Sequence, residues 1–274
     1  MPHPLSLVKL PVFLFVYLIV NAASAQVYNS SISAATGGTG RAAVEAGDAA
    51  FLNPGTLVHL KGRNFFSSFA KDELAINISD SSPESFLPSA LSFVKKKSDY
   101  AAGGDLQTQD FTLSLAEFVV DKLSLGVTGH YLTQEIPNAT YHQINADFGL
   151  IYTPKSNIGW ALVAYNVFGE KDDVPKELRQ KTVFAGGFNY IYHAMVRFRV
   201  DVDSESVYMG GVETYINQFI ITRLGYQKDA DDDRELITAG AGFKGPRFAL
   251  NYAYQGNTQN SEDYRHSVDL EIPF

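Results

Sequence analysis

The chain has no cysteine in its 274 residues. That excludes a disulfide framework, a zinc site built on thiolates and a thiol nucleophile. Basic residues are in the minority, 22 against 30 acidic, for a net charge of −8. A nucleic-acid partner is therefore not expected. Tryptophan occurs once, yet Phe and Tyr number 19 and 15, a heavy aromatic load for an acidic soluble enzyme. Beyond residue 25 no run is long and apolar enough to cross a bilayer as a helix. If the mature chain crosses a membrane, it must do so as a closed barrel.

What is present begins with an export signal. Lys9 supplies a positive start, Leu10 to Val20 is apolar apart from Pro11, and Ala23-Ser24-Ala25 has the small-x-small form of a cleavage site. This reads as a secretory signal peptide over residues 1–25, with Gln26 as the mature N-terminus. The alternative, a transmembrane anchor, needs a longer run to span ~30 Å at about 1.5 Å per residue.

From Arg63 onward, segments of strand length alternate apolar and polar positions. Val196, Phe198, Val200 and Val202 interleave with Arg197, Arg199, Asp201 and Asp203, and Phe248, Leu250, Tyr252 and Tyr254 with Ala249, Asn251, Ala253 and Gln255. Period two means strands with two chemically different faces. Fourteen strands are expected, near 63–70, 73–79, 86–95, 109–118, 122–133, 140–153, 157–168, 179–190, 194–203, 205–215, 218–228, 234–243, 247–256 and 264–274. The Lys176–Gln180 stretch has room for one helical turn at most.

A soluble sandwich would alternate in the same way, so other features must decide. Tight connections such as 120–122, 154–157 and 244–246 alternate with longer, acidic ones such as 170–177, 228–234 and 256–263. Unequal loops at the two ends are an outer-membrane pattern. The last strand carries Val268, Leu270 and Ile272 at every second position and closes on Phe274. Such an ending resembles the assembly signal of bacterial outer-membrane barrels. The charged residues Arg197, Arg199, Asp201, Arg223, Asp269 and Glu271 crowd the polar face, which in a barrel is the lumen. The expected fold is all-β: a transmembrane antiparallel β-barrel with residues 63–274 as its wall.

Ahead of the strands lies a Gly- and Ala-rich stretch, Ser33-Ala-Ala-Thr-Gly-Gly-Thr-Gly-Arg-Ala-Ala-Val-Glu-Ala-Gly-Asp-Ala-Ala-Phe-Leu-Asn-Pro-Gly55. No Gly-Lys-Ser/Thr follows its glycines, and no strand and long helix flank them, so a phosphate loop is excluded. Small residues suit a crowded lumen, with Gly permitting positive φ and Pro54 fixing a turn. A flexible linker is the competing reading.

The same stretch resembles the N-terminal signature of FadL-type outer-membrane transporters and their PorV/PorQ-like relatives, with Gly55 where that signature has Ala. The likeness continues in Asn145-Ala-Asp-Phe-Gly-Leu-Ile-Tyr-Thr-Pro154, in Gly159-Trp-Ala-Leu-Val-Ala-Tyr-Asn-Val-Phe-Gly169 and in Ala249-Leu-Asn-Tyr-Ala-Tyr254. It implies a fourteen-stranded barrel in which residues 26–62 fold inward as a hatch. It further implies a bacterial outer-membrane location and passage of small hydrophobic, fatty-acid-like molecules. The gate residues would be Gly37, Gly38, Gly40, Arg41, Asn53, Pro54 and Gly55. The PorV-like branch implies another task, a scaffold that binds a secretion-system protein. A purely structural barrel is a third possibility. In FadL-type barrels a kinked third strand leaves a lateral opening, and Pro88, inside the expected third strand, is the matching candidate for a wall irregularity.

No covalent chemistry is visible. His59, His130, His142, His193 and His266 are scattered without metal-ligand spacing, and nothing groups His130 with Ser124 or Ser267 as a catalytic set. The acidic run from Asp229 to Glu235 lacks the calcium-loop pattern and reads as a solvated loop. No enzyme activity, metal or cofactor is expected. The expected partners are outer-membrane lipid, the barrel-assembly machinery acting through the last strand, and a hydrophobic small molecule held by apolar lumen patches.

Overall fold

The computed structural model describes residues 28–100 and 103–274; the signal peptide expected at 1–25 lies outside them. Fourteen strands close into one antiparallel barrel. In chain order they are β1 (Gly62–Ala70), β2 (Glu73–Ser81), β3 (Ser89–Asp99), β4 (Asp105–Val120), β5 (Leu123–Ile136), β6 (Ala139–Lys155) and β7 (Ile158–Tyr165). They continue as β8 (Val183–Tyr192), β9 (Val196–Asp203), β10 (Val207–Tyr215), β11 (Ile220–Asp229), β12 (Arg234–Lys244), β13 (Ala249–Asn257) and β14 (Tyr264–Pro273). Each pairs with its neighbours in sequence, and β14 returns to β1 from Asn64↔Pro273 to Ala70↔Ser267. No sheet edge is left without a neighbour, which is what a membrane requires of strands.

Alternation decides which way each side chain points. On β9, Arg199 and Asp201 are buried while Phe198, Val200 and Val202 are exposed. Leu162 and Leu224 are each 66% exposed, a poor outcome in water and a favourable one against lipid. Aromatic side chains flank that apolar band on both sides. Tyr208, Tyr226, Tyr254 and Tyr264 stand toward the end that carries the 166–182 connection, here termed the upper end, and Tyr152, Trp160, Tyr192 and Phe248 toward the lower end. Paired aromatic girdles around an apolar belt are the signature of a transmembrane barrel.

Most expected strands match within a few residues, and the differences have physical causes. The third strand starts at Ser89, so Pro88 precedes it rather than sitting inside it. Its ladder to β2 and β4 is continuous from Ser89 to Lys96, and the Pro88 carbonyl accepts from the Ala116 N–H at 3.0 Å. A residue without an N–H is tolerated at a strand start. The seventh strand ends at Tyr165, short of the expected 168. Asn166, with φ +53°, turns the chain away, and the upper part of β6 is met instead by the 166–182 connection. There the Val167 N–H donates to the Ala146 carbonyl at 2.8 Å. That connection is the longest and lies at the upper end, but tight turns at 71–72 and 137–138 share its end and the longer 82–88 loop lies at the other. The loop asymmetry is thus weaker than the sequence suggests.

Leu224→Arg, at mid-strand on the outer face, should cost about 2–4 kcal/mol in a bilayer. Reversible denaturant unfolding from vesicles reads this directly; a water-facing residue would change stability by less than about 0.5 kcal/mol.

Candidate functional site: the segment inside the barrel

Residues 28–61 run through the interior. Their hydrogen bonds reach inward-facing groups on seven strands: Asn77 on β2, Ser124 on β5, Leu150 on β6, Tyr165 on β7, Asp201 on β9, Thr238 on β12 and Asp269 on β14. A chain that touches the inner faces of a closed ring on all sides lies within it. Nearly every side chain of the segment is buried.

The segment starts with one helical turn, α1 (Ser31–Ala35), capped by the Ser30 hydroxyl, which accepts from the Ile32 and Ser33 N–H groups. The turn was not legible in the sequence, because five residues carry no period. The Ser31 N–H and hydroxyl donate to the two oxygens of Asp269 at 2.6 and 2.7 Å. Gly37 and Gly38 then adopt φ of +71° and +82°, which turns the chain at a point where any side chain on Gly37 would strike the Tyr226 carbonyl. Next, Asp201 accepts from the Gly40 N–H at 2.8 Å, the Arg41 N–H at 3.0 Å and the Arg41 guanidinium at 3.2 Å. Arg41 also lies over the Tyr165 ring at 5.5 Å.

At its far end Asn53 caps a 3-10 turn over Pro54–His59. Its side-chain amide donates to the Arg41 carbonyl at 2.8 Å and the Leu150 carbonyl at 3.2 Å, and its oxygen accepts from the Gly55 N–H. The Gly55 carbonyl accepts from the Ser124 hydroxyl at 2.7 Å. Asn53 therefore ties the Arg41 and Gly55 parts of the segment to each other and to the wall.

Five charged residues, Glu45 of the segment with Arg197, Arg199, Glu213 and Arg223 of the wall, form one ion-pair network. Glu45 accepts from Arg197 and, at 2.8 Å, from Arg199. Glu213, which alternation alone did not single out, bridges Arg199 and Arg223, at 2.6 Å from Arg223. Glu271 also faces inward, half-buried, one inward position below Asp269. Asp48 is buried close to these carboxylates, and burial pushes its carboxyl up to about 7.

Glycines on the wall make room for this fit. Inward-facing Gly211, Gly225 and Gly240 lie against Thr36, Gly37 and Ala35, and Gly126, Gly149 and Gly159 lie against Pro54, Asn53 and Ala42. A Cβ at any of them would collide with the segment. The sequence held a signal for these positions, since each glycine falls on the inward phase of its strand, but only the register shows what each one faces. One apolar strip also lines the wall, Phe66, Ala75, Ala90, Val94 and Ala116, and Tyr28, Phe51 and Leu57 of the segment cover it. A second apolar cluster, Val163, Tyr165, Val183 and Ala185, lies on β7 and β8, while the inner face of β4 and β6 carries Asp110, Thr112, Ser114, Gln143, Asn145 and Asp147. The cavity beside Tyr28 and Phe51 holds about 20 Å³ and is lined mostly by polar side chains. The apolar patches expected from the sequence are present as these two clusters, and the segment covers the first of them. Sequence spacing also missed His130, whose ring nitrogens lie 2.9 Å from Asp110 and 2.9 Å from Asp147.

Gly210 and Gly211 offer a paired test on one strand. Nothing stands within 4 Å of a Cβ at Gly210, whereas one at Gly211 meets Thr36. Gly211→Ala should lose about 1–3 kcal/mol through overpacking while Gly210→Ala stays neutral, read as the midpoints of heat-modifiable gel mobility.

No protein-family model matches the chain, and no curated protein matches it in sequence. Solved structures do match its fold. The Ralstonia pickettii toluene transporter TbuX superposes with a TM-score of 0.68 at 13% identity, covering 89% of this chain and 97% of that one. The Pseudomonas putida toluene transporter TodX gives 0.64 at 10%, covering 90% and 98%. A Pseudomonas aeruginosa FadL homologue gives 0.65 at 10%, covering 91% and 99%. The chain has the fold of a FadL-type membrane barrel, closed around its own N-terminal segment.

Proposed function

We propose that this protein is an outer-membrane channel for small hydrophobic molecules, with residues 26–62 as its hatch. The observation that carries this reading is the covered apolar strip. Phe66, Ala75, Val94 and their neighbours form an apolar surface on the inner face of the wall, and Tyr28, Phe51 and Leu57 lie on it. Displacing the segment would bare a path suited to an apolar molecule, which needs burial and no chemistry. Solved barrels of the same fold include a monoaromatic hydrocarbon channel and a toluene transporter, which supports the substrate class. The gate would consist of Gly37, Gly38, Gly40 and Arg41, held by Asp201, together with Asn53, Pro54 and Gly55. Lipid surrounds the wall, and the assembly machinery would read the β14 face of Val268, Leu270 and Ile272 with Phe274 beyond it. No enzymatic step is invoked.

A second reading has its own observation. The lumen is filled, and the segment is held by buried ion pairs whose rupture costs about 3–5 kcal/mol each. A sealed barrel of that kind suits a scaffold for a secretion-system protein.

Flux through vesicles separates the two. Asp201→Asn, and separately deletion of residues 30–55, should raise single-channel conductance and the influx of toluene severalfold over the intact chain. Unchanged, sealed behaviour in both, with a larger complex recovered from native membranes, would favour the scaffold.

A further inference from the structure

The group around His130 is unused by the gate. Asp110 on β4 and Asp147 on β6 approach the two ring nitrogens of His130 on β5, each at 2.9 Å. Two carboxyl groups with four oxygens face one imidazole with two ring nitrogens, so the group holds more acceptors than the ring can serve. It lines the cavity of about 20 Å³ under the 166–182 connection, whose aromatic side is formed by Tyr28 and Phe51. The other lining side chains, Leu132, Gln143, Asn145, Asn166 and Gln180, carry no charge.

Two acceptor atoms at this cavity have no hydrogen-bond partner: Oδ1 of Asp110, a residue 2% exposed, and Oε1 of Gln143, 1% exposed. Two further oxygens at the cavity are taken. Asp147 Oδ1 accepts from the Asn166 N–H at 2.8 Å, and Asn145 Oδ1 from the Phe168 N–H at 3.0 Å. Unfilled acceptors call for a donor, since buried polar groups without partners are costly. A charged donor satisfies a carboxyl oxygen more strongly than a neutral one, and the neighbouring aromatic rings of Tyr28 and Phe51 suit a cation. The space admits a group the size of one water molecule, which a terminal ammonium matches. Among the described residues no set of three His, Cys, Asp or Glu side chains is placed to hold a metal.

We propose that this cavity binds the protonated primary-amine head group of a small organic molecule, with Asp110 and Gln143 accepting its N–H bonds. The inference rests on the channel reading only in naming what enters the same lumen. A purely apolar hydrocarbon would leave both acceptors unpaired, so the site selects amines over isosteric hydrocarbons.

The test is equilibrium binding to the full chain in detergent, by titration calorimetry, with benzylamine, benzyl alcohol and toluene, which share one ring. Benzylamine should bind about tenfold or more tightly than benzyl alcohol, the size of effect expected for hydrogen bonds to a charged group. Asp110→Asn should abolish that preference while heat-modifiable mobility shows the barrel folded. Raising the pH above the amine's own pKa should abolish it in the unaltered chain, which needs no variant. Equal affinity for all three ligands, or a preference that survives both Asp110→Asn and deprotonation of the amine, would overturn the proposal. Toluene flux without benzylamine binding overturns the amine site and leaves the channel intact. Benzylamine binding without flux upholds the site and removes the channel.

Discussion

Charge inside a ring that lipid surrounds is the constraint on which the rest of this structure depends. Asp201 is buried in the wall, and its Oδ2 accepts from the Gly40 and Arg41 N–H groups and the Arg41 guanidinium. Arg199 is as deeply buried and pairs with Glu45. Without the segment Asp201 would lose all three of these donors and Arg199 would keep only Glu213, and an unpaired buried charge costs more than an ordinary core defect. The charges of the wall are thus completed by the segment.

Geometry reinforces the electrostatics. Backbone approaches this close are possible only where the wall lacks side chains, and Gly211, Gly225 and Gly240 provide such a track on one side. On the opposite side Gly126, Gly149 and Gly159 do the same around Asn53 and Pro54. The Asn53 amide also donates to the Arg41 carbonyl, which ties the contacts at Asp201 to those at Asn53, about a dozen residues apart in sequence.

The interior is chemically divided. The apolar strip lies against β1 to β4, while the polar residues of β4 to β6 line the cavity at His130. A hydrocarbon would be drawn to the first and a hydrogen-bond donor to the second, so one lumen can rank ligands by head group as well as by size. The 166–182 connection lies over the polar part, joined to β6 by hydrogen bonds from Asn166, Val167 and Phe168 where β7 has already ended.

The sequence by itself determined the strands and their faces. Alternation of Arg197, Arg199 and Asp201 with Phe198, Val200 and Val202 assigns one set to the lumen and the other to lipid, because the strand period is two whatever the partner. It also marked residues 33–55 as unlike the wall, by their small side chains. Tertiary structure alone decided what each inward residue meets. That Arg41 finds Asp201, that Glu213 ties Arg199 to Arg223, and that His130 lies between Asp110 and Asp147 depend on register and barrel closure, which bring together residues as far as 160 positions apart. Local pattern says which way a side chain points, whereas the closed ring of hydrogen bonds says what waits there.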